Sequence, residues 1–248
     1  MEEIKAVWYE NFHPRHSEVD AYGYVKLKAV LDYLQEAAAN HADNLGCGMR
    51  FLLANKKMWV LSRLKLKFEE KLKLGGQYTV KTYPMNFKKL FASREFVISD
   101  SRNIPLVYGS SFWLLLAADT MRPLRPAENL PDFPDNSDQP EFYSEIDKIS
   151  PAPEIIQENP IFTTTIRDSQ IDLNRHLNNA EYASMIHDAV AEIIKRTPHF
   201  AEVQINFLAA TKPGETLSVA AHLEQLHFEA AGFGSGQTKF HAAGTIME

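Results

Sequence analysis

The sequence has almost no cysteine and no long apolar run, and each absence excludes a class of protein. One cysteine, Cys47, among 248 residues rules out an internal disulfide and any metal or iron–sulfur site built from several cysteines. The longest apolar run, residues 112–118, is far shorter than the roughly 20 residues that a membrane-spanning helix needs. The first ten residues start acidic and lack an apolar segment, so we expect no signal peptide. We therefore expect a cytoplasmic protein without a membrane partner.

Basic charge is scarce over the whole chain and concentrated in one region. The 26 Lys and Arg against 32 Asp and Glu give a net charge of −6, which argues against a nucleic-acid partner. Residues 56–95, however, hold eleven Lys or Arg and three Glu, a local balance of +8, so the remainder carries −14. Two explanations stay open for this basic region: the solvated outer face of a sheet, or a surface that steers an acidic partner.

Prolines and acids cluster in the middle of the chain. Eight of the thirteen prolines lie within residues 123–160, and residues 128–147 carry seven acids and no Lys or Arg. Such a segment disfavours both helix and sheet and is typical of a connector. We therefore predict an N-terminal domain at 1–127, an acidic, proline-rich linker at 128–158, and a C-terminal domain at 159–248.

The segments on either side of this linker resemble each other. Residues 15–37 align with 167–189, and residues 64–80 align with 203–219, in the same order. The identical pairs in the first block are Arg15/Arg167, Ser17/Ser169, Asp20/Asp172 and Ala37/Ala189. Two similar blocks in one order indicate a duplication, so we refer to a first and a second copy.

Each copy shows one helical pattern followed by strand patterns. Apolar spacing predicts helices at about 26–44 and 179–195, the second with Asn178 as N-cap and Glu181 completing a capping-box-like pair. Alternation of apolar with polar residues over 64–68 and over 203–207 predicts a strand after each helix. Further strands are predicted at about 78–85, 90–99, 105–118, 217–227 and 238–247. Two units of a long helix wrapped by a curved antiparallel sheet make an α+β fold.

The segment before the second helix carries the residues best suited to chemistry. Asp172, Asn174, His176 and Asn178 follow at a spacing of two, so an extended chain would point all four the same way. Ile171, Leu173 and Leu177 would then face the core. An acid or imidazole can activate a water, and an amide can hold it. The N–H groups of residues 178–180 at the helix start could polarise an acyl carbonyl.

A purely structural explanation of this segment is a capped polar turn, because Asp and Asn are common in turns. The duplication bears on this alternative. The matching residues of the first copy are Asp20, Tyr22, Tyr24 and Lys26. The scaffold therefore does not demand Asn174 or His176, and chemistry in one copy only is the favoured explanation.

Other candidate sites are weaker. Cys47 has no base or positive charge beside it in the sequence, which favours a structural thiol. The nine histidines show no metal-binding spacing, and residues 232–236 match no nucleotide motif and are typical of a flexible turn. We expect no metal and no cofactor.

Several motifs together resemble the acyl–acyl carrier protein thioesterases of plant plastids and bacteria. The pattern D-x-N-x-H-x-N-N begins at Asp172, and similar motifs lie at 59–63, 113–116, 122–123 and 31–46. The likeness covers about residues 8–247. It implies a double hotdog fold, no cofactor, and hydrolysis of fatty acyl–acyl carrier protein in fatty acid biosynthesis.

The resemblance also implies roles for particular residues. Asp172, Asn174 and His176 match the family's catalytic group. From the helix start, and not from the resemblance, we expect Asn178, Asn179 and Ala180 to bind the substrate. The family's acid and the plant enzymes' following cysteine map to Ala210 and Thr211, so both are replaced here. Asp172 is then the best candidate base and His176 the next, with Glu181 as a substitute whose helix-start position favours a structural role.

The N-terminal domain has enough apolar surface, including the strands of Trp59 and Trp113, to line an acyl pocket. Two alternatives to the carrier-protein thioesterase stay open: an acyl-CoA thioesterase, and a hotdog protein that binds acyl groups without catalysis. A dehydratase on the same fold is a weaker option. A homodimer is compatible with every one of these functions.

Overall fold

The two long helices lie where the apolar spacing predicts them. The computed structural model describes residues 3–150 and 160–248 of the protein. Within them, α1 spans Leu27–Asn44, and the shorter α2 and α3 span Met49–Ala54 and Pro126–Asn129. The second long helix, α4, spans Asn179–Ile194. Both predicted helices are therefore confirmed to within one residue at each end.

Strands make up most of the remaining structure. In the first half they are β1 (Trp8–Phe12), β2 (Lys57–Phe68), β3 (Tyr78–Lys88), β4 (Phe91–Asp100), β5 (Pro105–Ala117) and β6 (Pro123–Leu124). In the second half they are β7 (Phe162–Thr165), β8 (Phe200–Phe207), β9 (Thr216–Glu224), β10 (His227–Gly234) and β11 (Gln237–Ile246). Short 3-10 turns at His16–Glu18 and Asp168–Gln170 precede the two long helices.

The chain divides into two units. The first comprises 1–16 and 32–146, and the second comprises 17–31 and 147–248. In the first unit the antiparallel strand order is β1-β3-β4-β5-β2, with β6 added to β5. In the second unit it is β8-β11-β10-β9-β7, again antiparallel. Each copy thus supplies a helix followed by the same succession of antiparallel strands.

The second unit is built around the apolar face of α4. Ala183, Ile186, Ala189 and Val190 are fully buried, and the helix contacts β9 and β10. Tyr182 packs edge-on against the rings of Phe207 and Phe240, at 5.7 and 5.4 Å between centroids. Burial of this face is the main stabilising contribution that the sequence pattern predicts.

The glycine-rich end of the chain differs from the prediction. A single strand at 217–227 is wrong, because the chain turns at Gln225 and returns as β10. Residues 232–234 belong to that strand, so the flexible-turn interpretation holds only for Ser235 and Gly236, which have positive φ. Gly232 lies against the Phe240 ring, where an added Cβ would come within 2.2 Å of it. Close packing explains this glycine.

The predicted linker follows an ordered path in its described part. Residues 131–150 form no helix or strand, as expected, and the predicted residues 151–158 lie outside the described part of the chain. Residues 133–146, which we call the strap, pack on the first unit. Asn136 donates to the carbonyls of Ala6 and Pro84, and the Tyr83 hydroxyl donates to the Pro140 carbonyl.

Candidate active site

The segment 171–177 forms a closed turn. Ile171 and Leu177 pair across its base as an antiparallel bridge. The Asp172 N–H donates to the His176 carbonyl over 2.9 Å, and the Arg175 N–H donates to the Asp172 carbonyl over 3.0 Å. Arg175 has a φ of 62°. We call this segment the active turn, and the expectation of an extended chain is wrong.

The Asp172 carboxylate holds the active turn from inside. Its Oδ1 accepts the N–H groups of Asn174 at 2.8 Å and of His176 at 3.3 Å. This Asx-type contact replaces the strand geometry that the spacing of two predicts. As a consequence Leu173 is 84% exposed, against the expected core position, whereas Leu177 is buried as expected.

The first copy builds the same turn at 19–25. Asp20 Oδ1 accepts the N–H groups of Tyr22 at 2.8 Å and Tyr24 at 2.9 Å, and Val19 bridges Val25. Gly23, with a φ of 80°, takes the place of Arg175. The turn therefore needs the aspartate in both copies. It does not need an asparagine or a histidine, which the second copy alone carries.

The polar side chains of the active turn are accessible from outside the chain. Asn174 is exposed, and Asp172 and His176 are half-buried. Asn178 and Asn179 are also half-buried, and Ala180 is fully buried. The structure thus brings the predicted catalytic residues onto one short segment, immediately before the first turn of α4.

The N-terminus of α4 is capped by the chain itself. Asn178 is the N-cap as predicted, and its Oδ1 accepts the Ala180 N–H over 2.9 Å. The Asn178 N–H donates to the Gln170 carbonyl over 3.0 Å. The N–H groups of Asn178 and Ala180 already have acceptors, so their predicted role in polarising a substrate carbonyl needs correction.

Glu181 also differs from its predicted capping-box contact. Its carboxylate accepts from the Gln170 side chain at 3.2 Å and pairs with Lys28 at 3.4 Å. Gln170 therefore bridges two parts of the helix start, with its carbonyl on Asn178 and its amide on Glu181. These contacts fit the structural role that its position favoured.

A loop at 208–215 lies directly behind the active turn. The Leu177 N–H donates to the Thr211 carbonyl over 2.8 Å. The Thr211 side chain is fully buried and accepts from the Tyr182 hydroxyl at 2.9 Å, while Ala210 is exposed. The sequence pattern places Tyr182 only in the helix core and does not single out Lys239, whose ammonium donates to the Ala210 carbonyl. Strand alternation would place Lys239 on the face opposite Phe240 and Ala242, and its burial coincides with a register shift between β10 and β11 that the sequence does not reveal.

Comparison with known proteins decides the family. A sequence model of the acyl-ACP thioesterase N-terminal domain matches residues 5–132, and the model of the acyl-ACP thioesterase C-terminal domain matches residues 154–243. The chain belongs to the acyl-ACP thioesterase family. The resemblance stated from the motifs is therefore confirmed.

Curated acyl-ACP thioesterases are about a fifth to a quarter identical to this chain over the aligned residues. A chloroplastic palmitoyl-acyl carrier protein thioesterase from Cuphea hookeriana is 24% identical over 222 residues, covering 81% of this chain and 51% of its own length. A chloroplastic oleoyl-acyl carrier protein thioesterase 2 from Arabidopsis thaliana is 21% identical, covering 80% and 58%. The chain thus spans about half the length of the curated relatives it matches.

Solved structures of acyl-ACP thioesterases share the fold. A crystal structure of one from Bacteroides thetaiotaomicron superposes with a TM-score of 0.81 at 23% identity, covering 100% of both chains. The 12:0-ACP thioesterase from Umbellularia californica superposes with a TM-score of 0.78 at 18% identity, covering 100% of this chain and 99% of its own. The predicted α+β double hotdog fold is confirmed.

The two tryptophans assigned to the acyl pocket lie on neighbouring strands of the first unit. Trp59 on β2 pairs in register with Leu115, and Trp113 on β5 pairs with Leu61. Both tryptophans are half-buried and share a sheet face with these two buried leucines. The residues of the active turn belong to the second unit, so a joint pocket stays a prediction.

The basic region, residues 56–95, contacts the strap and its surroundings. Lys57 donates to the Asn129 carbonyl, Lys81 to Gln139, and Lys88 to Glu141 at 3.1 Å. Arg94 is buried and donates to His41 and Thr82, so it does not face a partner. Three of these basic residues therefore contact residues 129–141 of the chain's own acidic segment, an explanation that composition alone did not suggest.

Cys47 is 1% exposed, and burial raises the pKa of its thiol to about 11. A buried thiol of this kind is a poor nucleophile. Among the described residues, no group of three or more His, Cys, Asp or Glu could hold a metal ion. Nor does this part of the chain contain a helix long and apolar enough to cross a membrane.

Proposed function

We propose that this protein hydrolyses the thioester of fatty acyl–acyl carrier protein, releasing a free fatty acid and the carrier thiol. One observation carries the proposal beyond family membership. The two copies build the same aspartate-held turn, and the second alone places Asn174 and His176 on it. Polar groups that the turn does not need are candidates for chemistry.

The proposed mechanism uses water as the nucleophile. Asp172 or His176 accepts a proton from a water molecule as its oxygen attacks the thioester carbonyl carbon. The carbon–sulfur bond then breaks, and the leaving thiolate takes up a proton that His176 shares. Asn174 holds the water or the carbonyl oxygen. No covalent acyl-enzyme is needed.

Stabilisation of the developing oxyanion is assigned to side chains. The N–H groups of Asn178 and Ala180 are engaged within the protein, so the Asn174 amide and His176 are the proposed donors. The positive end of α4 still favours negative charge beside Asn178 and Asn179. The substrate is thus proposed to lie against the start of this helix.

The acyl chain is assigned to the N-terminal domain, 1–127, with Trp59 and Trp113 on its pocket wall. The C-terminal domain, 159–248, carries the active turn. We further propose a cytoplasmic location and a part in fatty acid biosynthesis, where acyl carrier proteins carry the growing chain. An acyl-binding protein without catalysis is the second candidate, because Ala210 stands where the family has an acid.

A single hydrolysis assay tests this function. Purified protein is mixed with acyl groups of several chain lengths, each attached to acyl carrier protein and to CoA, and thiol release is followed. We expect release from the carrier form with a higher kcat/KM than from the CoA form. Faster release from CoA would favour the acyl-CoA thioesterase, and tight carrier binding without release would favour the binding protein.

A further inference from the structure

Lys239 on β11 is a lysine in the interior of the second unit. It is 1% exposed and directly precedes the buried Phe240, at the point where the pairing of β10 with β11 shifts register between Phe240 and Thr238. Lysine is almost never fully buried unless its charge is paired, because the ammonium loses its hydration. Its contacts therefore indicate why it is there.

The Lys239 ammonium has two partners. It donates to the Ala210 carbonyl over 2.9 Å and pairs with the Glu215 carboxylate at 3.2 Å. Glu215 also accepts from the Lys212 N–H at 2.6 Å and from the Ser235 hydroxyl. Burial alone would raise the pKa of Glu215, but these contacts outweigh it and hold the pKa below its usual value. The pair is therefore ionic and clamps both ends of the segment 210–215.

The clamped segment holds the active turn. Thr211 lies inside it, with its carbonyl on the Leu177 N–H and its hydroxyl on Tyr182. Leu177 closes the active turn through its bridge with Ile171, and Tyr182 lies in the first turns of α4. A continuous chain of contacts thus runs from the Lys239 ammonium to the residue that follows His176.

The first copy shows that the fold does not require these polar residues. Leu106 occupies the position of Lys239: its carbonyl accepts from Glu69 and Glu70, just as the Lys239 carbonyl accepts from Leu208 and Ala209. The aligned counterparts of Thr211 and Tyr182 are Leu72 and Val30. All three counterparts are buried apolar residues.

An ion pair with a buried member is a poor source of stability compared with apolar residues of similar size, because the buried ion must be desolvated. Here the Lys239 side chain is 1% exposed and that of Glu215 is 19% exposed. The second copy keeps such a pair where the first copy has leucine and glycine, at Leu106 and Gly76. The pair lies behind the one turn that carries Asn174 and His176. The position of the ion pair behind this turn, and its restriction to the second copy, both indicate that the pair serves to hold the turn.

We propose that Lys239 is a positioning residue that, with Glu215 and Thr211, fixes the active turn for hydrolysis. The proposal rests on the proposed function for its catalytic consequence, but the positioning itself does not. Loss of the clamp leaves Asn174 and His176 present and lets the backbone at Leu177 shift. Small displacements of this kind lower the rate of the chemical step more than they weaken substrate binding.

The double variant Lys239→Leu/Glu215→Gln tests this proposal. It removes both charges and places at position 239 the leucine that the first copy has at Leu106. We expect it to fold with an unchanged or higher Tm. We also expect kcat to fall at least about tenfold with KM within about twofold. Hydrogen exchange at the Leu177 amide should be at least about tenfold faster. Leu106→Met is the matched control and should leave all of these values unchanged.

Other results overturn the proposal. An unchanged kcat in the folded double variant would show that Lys239 does not position the active turn. A loss of kcat equal to the unfolded fraction of the variant would show the same. An unchanged hydrogen-exchange rate at the Leu177 amide would refute the positioning role even if the wild type hydrolyses no thioester. Failure of the positioning proposal can therefore be told apart from failure of the proposed hydrolase function. If the double variant does not fold, the single variant Glu215→Gln is tested by the same measurements of kcat and of hydrogen exchange at the Leu177 amide. We expect it to show a smaller loss of kcat than the double variant and faster Leu177 exchange than the wild type.

Discussion

At the scale of single residues, Asp172 combines a structural contact with a proposed chemical role. Its Oδ1 accepts from the N–H groups of the two residues assigned to chemistry, Asn174 and His176. Asp20 makes the same contacts with Tyr22 and Tyr24 in the first copy. The structural part is therefore common to both copies, and a catalytic part would be a property of Asp172 alone.

Asp172→Asn separates these two roles. The amide oxygen of asparagine can still accept the two N–H groups, so we expect stability to fall by less than about 1 kcal/mol. The charge that accepts a proton is lost, so kcat should fall at least about 100-fold. Rates of thiol release and urea unfolding midpoints measure the two effects. Asp20→Asn is the control and should keep the wild-type kcat, although it also weakens the contact of Asp20 with His199. Full activity in Asp172→Asn would reduce Asp172 to a turn cap.

The sequence places the aspartate, asparagine and histidine of the active turn on one segment before α4, as the structure does, and the duplication singles out Asn174 and His176 as the two that the scaffold does not need. Their geometry could not be predicted from the sequence. Polar residues at a spacing of two occur both in a strand and in this turn. Which of the two forms depends on whether the aspartate carboxylate accepts hydrogen bonds from the N–H groups two and four residues ahead. Lys239 could not be assigned either, since its partners Ala210 and Glu215 lie far from it in sequence.

At the scale of elements, the strap is held by a buried carboxyl group on β4. Glu95 is fully buried, and its Oε2 accepts from the Phe142 N–H at 3.1 Å and the Ser110 hydroxyl at 2.5 Å. Ser110 in turn accepts from the Tyr143 N–H. Burial raises the pKa of Glu95 to about 7, even though the contacts with Ser110 and Phe142 lower it.

This raised pKa predicts how stability changes with pH. A glutamate in water has a pKa of 4.5, and the pKa of Glu95 in the folded protein is about 7. Between these pH values the folded state binds more protons than the unfolded state. The contribution of Glu95 to the free energy of unfolding is therefore fully present below about pH 4.5 and is lost as pH rises to about 7. The shift corresponds to a loss of at most about 3 kcal/mol.

Glu95→Gln removes this titration and keeps an acceptor for Phe142. We expect the wild type to lose stability relative to Glu95→Gln between pH 5 and pH 8, as measured by urea unfolding at each pH. The exposed Glu70→Gln should show no such difference from the wild type. Parallel stability curves for the wild type and Glu95→Gln would refute the assignment.

The elements themselves were largely predictable. Long apolar periodicity located α1 and α4, and alternation located most of β2 to β5. The turn between β9 and β10 was missed, because Gln225 and Leu226 are not turn formers and the left-handed φ of Gln225 is set by strand pairing. The prolines and acids predicted a segment without helix or strand, which residues 131–150 are, but the packing of the strap on basic strands depends on contacts that composition does not reveal.

At the scale of the whole molecule, the two copies of one fold differ in the residues that their matching turns carry. Both keep the aspartate-held turn before a long helix. The first copy places two tyrosines on that turn and apolar residues behind it, and the second places Asn174 and His176 there, with an ion pair of a buried lysine and a partly exposed glutamate behind. The central claim is that this difference confers thioester hydrolysis on the second turn alone.

The most direct test compares matched alanine variants in the two turns. Thiol release from fatty acyl–acyl carrier protein is measured for Asn174→Ala and His176→Ala, and for Tyr22→Ala and Tyr24→Ala at the corresponding positions. We predict at least about a 100-fold loss of kcat in each of the first two variants. The tyrosine variants should remain within about threefold of the wild type, as expected outside the reacting centre. Wild-type rates in both Asn174→Ala and His176→Ala, with their folds intact, would contradict the account.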